Sequence, residues 1–179
     1  AGIPSVIFGL FGMTFFGGVL GMGYSLLNGA LTLALMVLPL IVRNTQRALR
    51  TVPEGYRYGA LGLGAGKWHL IRTILLPSAR PGILTGIILA VGRIVGESAA
   101  LLFTAGSARL LPRLGGGFGK ILESGGTLAV ELYLQMQKGE YGAAFGLGCV
   151  LILLTFLMNF LMKLISRTGD GQDAFFHGK

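Results

Sequence analysis

The 179 residues are 53% hydrophobic and only 12% charged, with a mean hydropathy of +0.72. A soluble domain carries about twice that charged share, so a chain folded wholly in water is excluded and a bilayer host is implied. Fifteen Lys and Arg against seven Asp and Glu give a net charge of +8, but the excess sits in loops between apolar runs. Positive loops beside membrane spans account for it, and no nucleic-acid partner is expected.

The 31 glycines follow no G-X-Y period, which excludes collagen, and Gly is frequent in membrane helices that pack closely. Cys149 is the single cysteine and lies in an apolar run, so no intrachain disulfide forms. No initiator Met or basic leader precedes the first apolar run. The chain opens at Ala1-Gly2-Ile3-Pro4-Ser5 on the threshold of a hydrophobic segment and reads as a fragment.

Four stretches approach the roughly 20 residues that cross a hydrocarbon layer about 30 Å thick. They are residues 6–21, loosened by Gly9, Gly12, Gly17 and Gly18; 26–42, interrupted by Asn28, Gly29, Thr32 and Pro39; 83–105; and 141–165. No charge precedes Arg43. Residues 43–80 carry Arg43, Arg47, Arg50, Arg57, Lys67, Arg72 and Arg80 against Glu54 alone. Residues 106–140 carry Arg109, Arg113, Lys120 and Lys138 against Glu123, Glu131 and Glu140. The positive-inside rule therefore puts 43–80 in the cytoplasm and 106–140 outside. With four alternating spans, the first residues and the tail beyond Lys163 and Arg167 are cytoplasmic too. The outer loop starts with Gly115, Gly116, Gly117, Gly119, Gly125 and Gly126, and then Leu128, Leu132 and Met136 recur at helical spacing. That predicts a surface helix over 127–138, stopped by Gly139.

The cytoplasmic loop is longer than a connection needs. Pro53 suits a helix start, with Glu54 near the positive helix end. A helix is expected over 56–63, ended by the glycines at 62, 64 and 66, and a second over 67–75, stopped by Pro77. Two short basic helices about a glycine hinge, with Tyr58 and Trp68 among their aromatics, form a docking knob. Gly66-Lys67 is not a nucleotide loop, because Leu61 and Trp68 stand where Gly and Ser or Thr are required.

Two charges fall inside the third predicted span. Arg93 is about 15 Å in, near the bilayer centre, and Glu97 follows one turn later on the same face. Such charges pair or line a wet cavity. Arg93 and Glu97 therefore either neutralise each other or face a pathway with Ser98 beside them, and the pathway reading is favoured. Arg suits phosphate through its two-pronged donor geometry. Gly82, Gly86, Gly92 and Gly96 form small-xxx-small repeats, as do Gly142 and Gly146. His69 and His177 have no ligand-spaced neighbours, so no metal is expected, and Ser98 and Thr104 lack a nearby base.

Gly59-Ala60, three residues, Gly64, nine residues and Ile74-Leu75-Leu76-Pro77 resemble the coupling loop of ABC importer permeases, E-A-A-x3-G-x9-I-x-L-P. Tyr58 stands where that pattern has Glu, and Gly59 where it has Ala. Gly2 to Gly12, Leu38 to Arg43, Gly82 to Gly86 and Gly96 to Ala105 are similar to the PstA-type permeases of phosphate importers, and the sister permease type is similar in part.

The resemblance implies a single all-α transmembrane domain over 1–179, of the type I, MetI-like fold, with further N-terminal spans in a full-length relative. It implies import of inorganic phosphate across the bacterial or archaeal plasma (inner) membrane. Its partners would be ABC ATPase subunits, a sister permease and a periplasmic or extracellular phosphate-binding protein. ATP and Mg would be held by the ATPase, with no cofactor in this chain and no enzyme activity of its own. Tyr58, Gly59, Ala60, Gly64, Ile74, Leu76 and Pro77 would form the ATPase coupling loop. The alternatives are an importer of sulfate, phosphonate or molybdate, or an ATP-independent channel or membrane enzyme.

Overall fold

A computed structural model describes residues 3–108 and 121–170, with side chains as far as residue 164. Arg109, Arg113, Lys120, the glycines at 115, 116, 117 and 119, the Arg167 side chain and His177 lie outside the described residues, as do Ala1 and Gly2. The described residues are helical, without strands. We number the helices α1 (Ser5–Val19), α2 (Leu26–Arg50), α3 (Glu54–Gly62), α4 (Lys67–Val95), α5 (Ala99–Thr104), α6 (Leu128–Gln137) and α7 (Tyr141–Asp170).

Three helices are long and apolar enough to cross a membrane: α2, α4 and Tyr141–Leu164 of α7. The first expected span is shorter. Helix α1 ends at Val19 and widens into π-helical turns from Met13, with Leu20 N–H donating to Phe15 O at 3.0 Å. It falls short of the roughly 20 residues a span needs.

The third expected span, 83–105, is corrected at both ends. Helix α4 starts at Lys67 and stops at Val95, residues 96–98 are non-helical, and α5 resumes at Ala99. Local bonding explains the break. Glu97 N–H turns back to Ile94 O at 3.1 Å, and the Glu97 carboxylate receives Ala100 N–H at 3.2 Å. A side chain thus takes a donor that a continuous helix would have given to the backbone. The expected stop at Pro77 is also corrected, because α4 runs through it. Its Leu70–Leu75 segment is π-helical, and Leu76 N–H bonds to Ile71 O. The widened turn gives the Pro77 ring room that a regular turn denies it. Ser78 Oγ donates to the Ile74 carbonyl at 2.7 Å beside it.

Two compact units form: Ala1–Leu38 with Gly92–Leu157, and Pro39–Val91 with Met158–Lys179. In the first, glycines bring helices to backbone contact. A Cβ on Gly9 would lie 2.9 Å from Ala100 Cα, and one on Gly12 would strike Thr32 Oγ1 and come within 2.7 Å of Thr104 Cγ2. Ser25, Asn28, Thr32 and Thr104 are fully buried around this crossing. Asn28 Nδ2 donates to Gly23 O at 2.9 Å, Ser25 Oγ accepts Asn28 N–H at 3.2 Å, and Thr104 Oγ1 donates to Ala100 O at 2.8 Å. Helix α6 is more than a surface helix: its buried Val130 packs with Leu101 and Ala105 of the α5 segment. Thr127 Oγ1 caps its start by accepting Val130 N–H, and Gly139, at φ +79°, ends it as expected.

In the second unit, Gly82 of α4 lies against Ala48 of α2 and Gly86 against Asn44, where added Cβ atoms would sit 2.6 and 2.7 Å from those side chains. The predicted small-residue repeat at 82 and 86 is therefore a true close contact. Gly92, Gly96, Gly142 and Gly146 face open space instead.

Gly12→Leu should lower apparent stability by about 1–3 kcal/mol, because the crossing has no room for a side chain. Gly142→Ala should leave the thermal midpoint in detergent unchanged or raised, since its Cβ meets nothing. Equal midpoints for wild type and Gly12→Leu would refute the packing account.

Candidate functional site

The loop between α2 and α4 is a folded element. Helix α3 begins after Pro53 with Glu54 in its first turn. It ends in a Schellman-type closure, with Ala65 N–H bonded to Ala60 O at 3.0 Å and Gly64 N–H to Leu61 O at 3.0 Å. Gly64, at φ +82°, makes the turn that a side chain would strain. Ala60, 8% exposed, is the buried centre of α3 and joins Ala48, Val52, Leu70, Leu75 and Ala79 in one apolar cluster, with Ile74 against it. Arg57 adds a polar tie, its Nη2 donating to Leu49 O at 3.1 Å near the end of α2. A cation beside terminal helix carbonyls suits both hydrogen bonding and the helix dipole.

The seven residues that the resemblance marks as a coupling loop thus differ in their surroundings. Ala60, Gly64 and Ile74 build the fold of the loop, and Pro77 is half-buried in α4. Tyr58 and Leu76 are exposed, and Gly59 has open space above it. Sequence reasoning overlooked Arg57 and Leu63. Arg57 counted there only as one of seven loop cations, whereas a lone Leu between Gly62 and Gly64 was a readable sign of a projecting side chain.

Arg93 and Glu97 do not neutralise each other, which is the less favoured of the two readings of their spacing. Arg93 lies in the last turn of α4, not midway along a longer helix, and is exposed. Glu97 lies beyond the helix end, 9% exposed and committed to Ala100 N–H. The i, i+4 relation fails because the helix that would impose it stops at Val95. Ser98 is the residue before α5, half-buried, and its carbonyl accepts Leu102 N–H at 2.9 Å. Arg93 is therefore a guanidinium without an acidic partner among the described residues, next to a helix break.

At the other end of α5, an open cavity of about 610 Å³ is bounded by Tyr24, Phe103, Gly106, Ser107 and Ser124. A second, of about 400 Å³, lies along α6 with Thr127, Glu131 and Gln135. Neither is lined by Arg93, Glu97 or Ser98. No group of His, Cys, Asp and Glu able to hold a metal occurs among the described residues.

Comparison with known proteins decides the family. Residues 1–168 match the model for the binding-protein-dependent transport system inner membrane component. The chain belongs to that family. It is a transport permease component with the MetI-like transmembrane fold of ABC importers. Similar curated proteins include the probable ABC transporter permease protein YqgI of Bacillus subtilis (strain 168), 49% identical over 58% of this chain and 35% of the relative. The phosphate transport system permease protein PstA of Xylella fastidiosa (strain Temecula1 / ATCC 700964) is 49% identical over 57% of this chain and 36% of the relative. The phosphate transport system permease protein PstA 2 of Mycobacterium bovis (strain ATCC BAA-935 / AF2122/97) is 34% identical over 93% of this chain and 55% of the relative. The permease chain thus spans between about a third and just over half of their lengths. No solved structure matches it.

Arg57→Ala should loosen the loop by about 1.5 kcal/mol, the lower end of what a hydrogen bond from a charged donor is worth. The expected readout is several-fold faster chymotrypsin cleavage around Tyr56, Tyr58 and Trp68, with α2 left intact. Cleavage at the wild-type rate would show that Arg57 ties nothing.

Proposed function

We propose that this permease chain is part of the transmembrane subunit of an ATP-driven importer that carries inorganic phosphate across the plasma (inner) membrane. The observation that carries the coupling half is the buried Ala60 cluster. A loop this well packed against α2 and α4 transmits force, whereas a slack connection cannot. Binding and hydrolysis of ATP in a partner subunit move this loop, and the spans open alternately to each side. A sister permease completes the pathway, and a phosphate-binding protein delivers the cargo from outside. The loop faces the cytoplasm, in line with its excess of Lys and Arg.

The substrate half rests on Arg93 and on the names of the relatives. An intramembrane guanidinium without an acid partner is costly unless it serves a ligand or a wet cavity. Its position at the end of α4, beside the break at 96–98, is the setting in which membrane transporters expose backbone and charge to cargo. Arg93 attracts the anion through paired N–H donors. Glu97 holds the break in shape through Ala100, and Ser98 adds a hydroxyl beside it.

The full-length gene in a permease-deficient cell should restore uptake of labelled phosphate, with excess sulfate, phosphonate or molybdate failing to compete. Arg93→Ala should reduce uptake at least tenfold, and Arg93→Lys should keep part of it, because charge survives and the planar fork does not. Unchanged uptake in Arg93→Ala would remove that residue from the pathway. Competition by sulfate would reassign the cargo.

A further inference from the structure

The tip of the cytoplasmic loop combines two features that its fold does not require. Leu63 projects with 91% of its surface exposed, flanked by Trp68 at 72% and Tyr58 at 67%. Around it the backbone is bare: a Cβ added at Gly55, Gly59, Gly62, Gly64 or Gly66 would meet nothing within 4 Å. Leu63 is thus the most exposed of several large apolar side chains here, and it stands between glycines that leave the backbone open. A large apolar group held in water at a rigid turn is an anchor awaiting a pocket, and the bare glycines let the pocket rim close to backbone distance. The surrounding charge is one-sided, with Arg57, Lys67 and Arg72 against Glu54.

Height along the stalk separates a protein partner from the bilayer. The apolar part of α2 ends at Val42, and α3 packs through Ala60 at the level of Ala48 and Val52. That is about 9–15 Å of stalk beyond the last apolar residue, which carries the tip past the hydrocarbon. Lipid tails are out of reach there, whereas a cytoplasmic subunit is not.

We infer that Leu63 is the central anchor of the docking surface, seated in an apolar pocket of the ATPase subunit whose rim carries carboxylates, with Gly62 and Gly66 in backbone contact with that rim. The inference rests on the coupling role proposed above. It also accounts for Tyr58: with an apolar anchor at the tip, docking does not depend on the Glu that Tyr58 replaces. Burial of the anchor holds the complex, and the cations steer the encounter.

The test uses the full-length permease co-expressed with its ABC ATPase, purified in mild detergent without a bilayer. Wild type should retain the ATPase in 0.5 M salt, where the Debye length is about 4 Å and the attraction of the exposed cations is largely screened. Leu63→Ala should lower retention at least tenfold, and Leu63→Asp should abolish it. Gly62→Ala and Gly66→Ala should weaken it several-fold while the thermal midpoint of the permease stays at or above wild type, since nothing in the fold opposes their methyl groups. Full ATPase retention by Leu63→Asp overturns the inference, and a shift of that variant off anionic vesicles instead would assign the tip to the membrane. Wild type that captures no ATPase would remove the coupling reading itself, and the anchor with it.

Discussion

The described packing depends on how closely one helix backbone can approach another. Inside a bilayer the hydrophobic effect does not drive helices together, because lipid is as apolar as the helices are. Association then relies on close contact and on polar groups satisfied between helices. Gly9 and Gly12 supply the contact where α1 meets α5 and α2, and Gly82 and Gly86 supply it where α4 meets α2. At the first crossing the space left by glycine is occupied by Thr32 and Thr104, whose hydroxyls are fully buried. The same residues that loosen a helix in water therefore tighten its packing here.

The second organising event is the interruption after Val95. A helix that continued to Ala105 would keep Glu97 on its flank and the Arg93 charge within its reach. Instead Glu97 turns inward to hold the start of α5, and Arg93 is left at the end of α4. One carboxylate thereby sets the backbone path and frees a guanidinium at the same time. Two charges only four positions apart thus have different surroundings, one bonded to the backbone and one exposed.

Much of this was readable beforehand, and the misses share a cause. Helix α7, α6 with its Gly139 stop, and the Pro53–Gly64 punctuation of the loop follow from local signals of apolar length and turn chemistry. The misses arose where a side chain overrode a local rule. Pro77 signalled an end, yet the π turn before it let the helix pass. The apolar run from 83 to 105 signalled one span, yet Glu97 supplied a competing acceptor that hydropathy does not register. Likewise α1 looked loose because glycine propensity is scored along one helix, whereas its value at Gly9 and Gly12 lies in the neighbour it admits. The coupling-loop residues were legible as a pattern, but the pattern could not separate those that build the loop, such as Ala60, from those it presents.

The π turn at Leu70–Leu75 has a consequence for geometry as well as for Pro77. A π turn holds one more residue than the regular turn it replaces, and each residue of an α-helix advances the azimuth by about 100°. The turn therefore fixes the compass direction in which Lys67 and everything before it leave the apolar part of α4. Rewinding the same residues as regular α-helix would keep every side chain of the loop and every apolar residue after Leu75, yet rotate the loop by more than a quarter circle. Aim, rather than composition, is what that turn encodes.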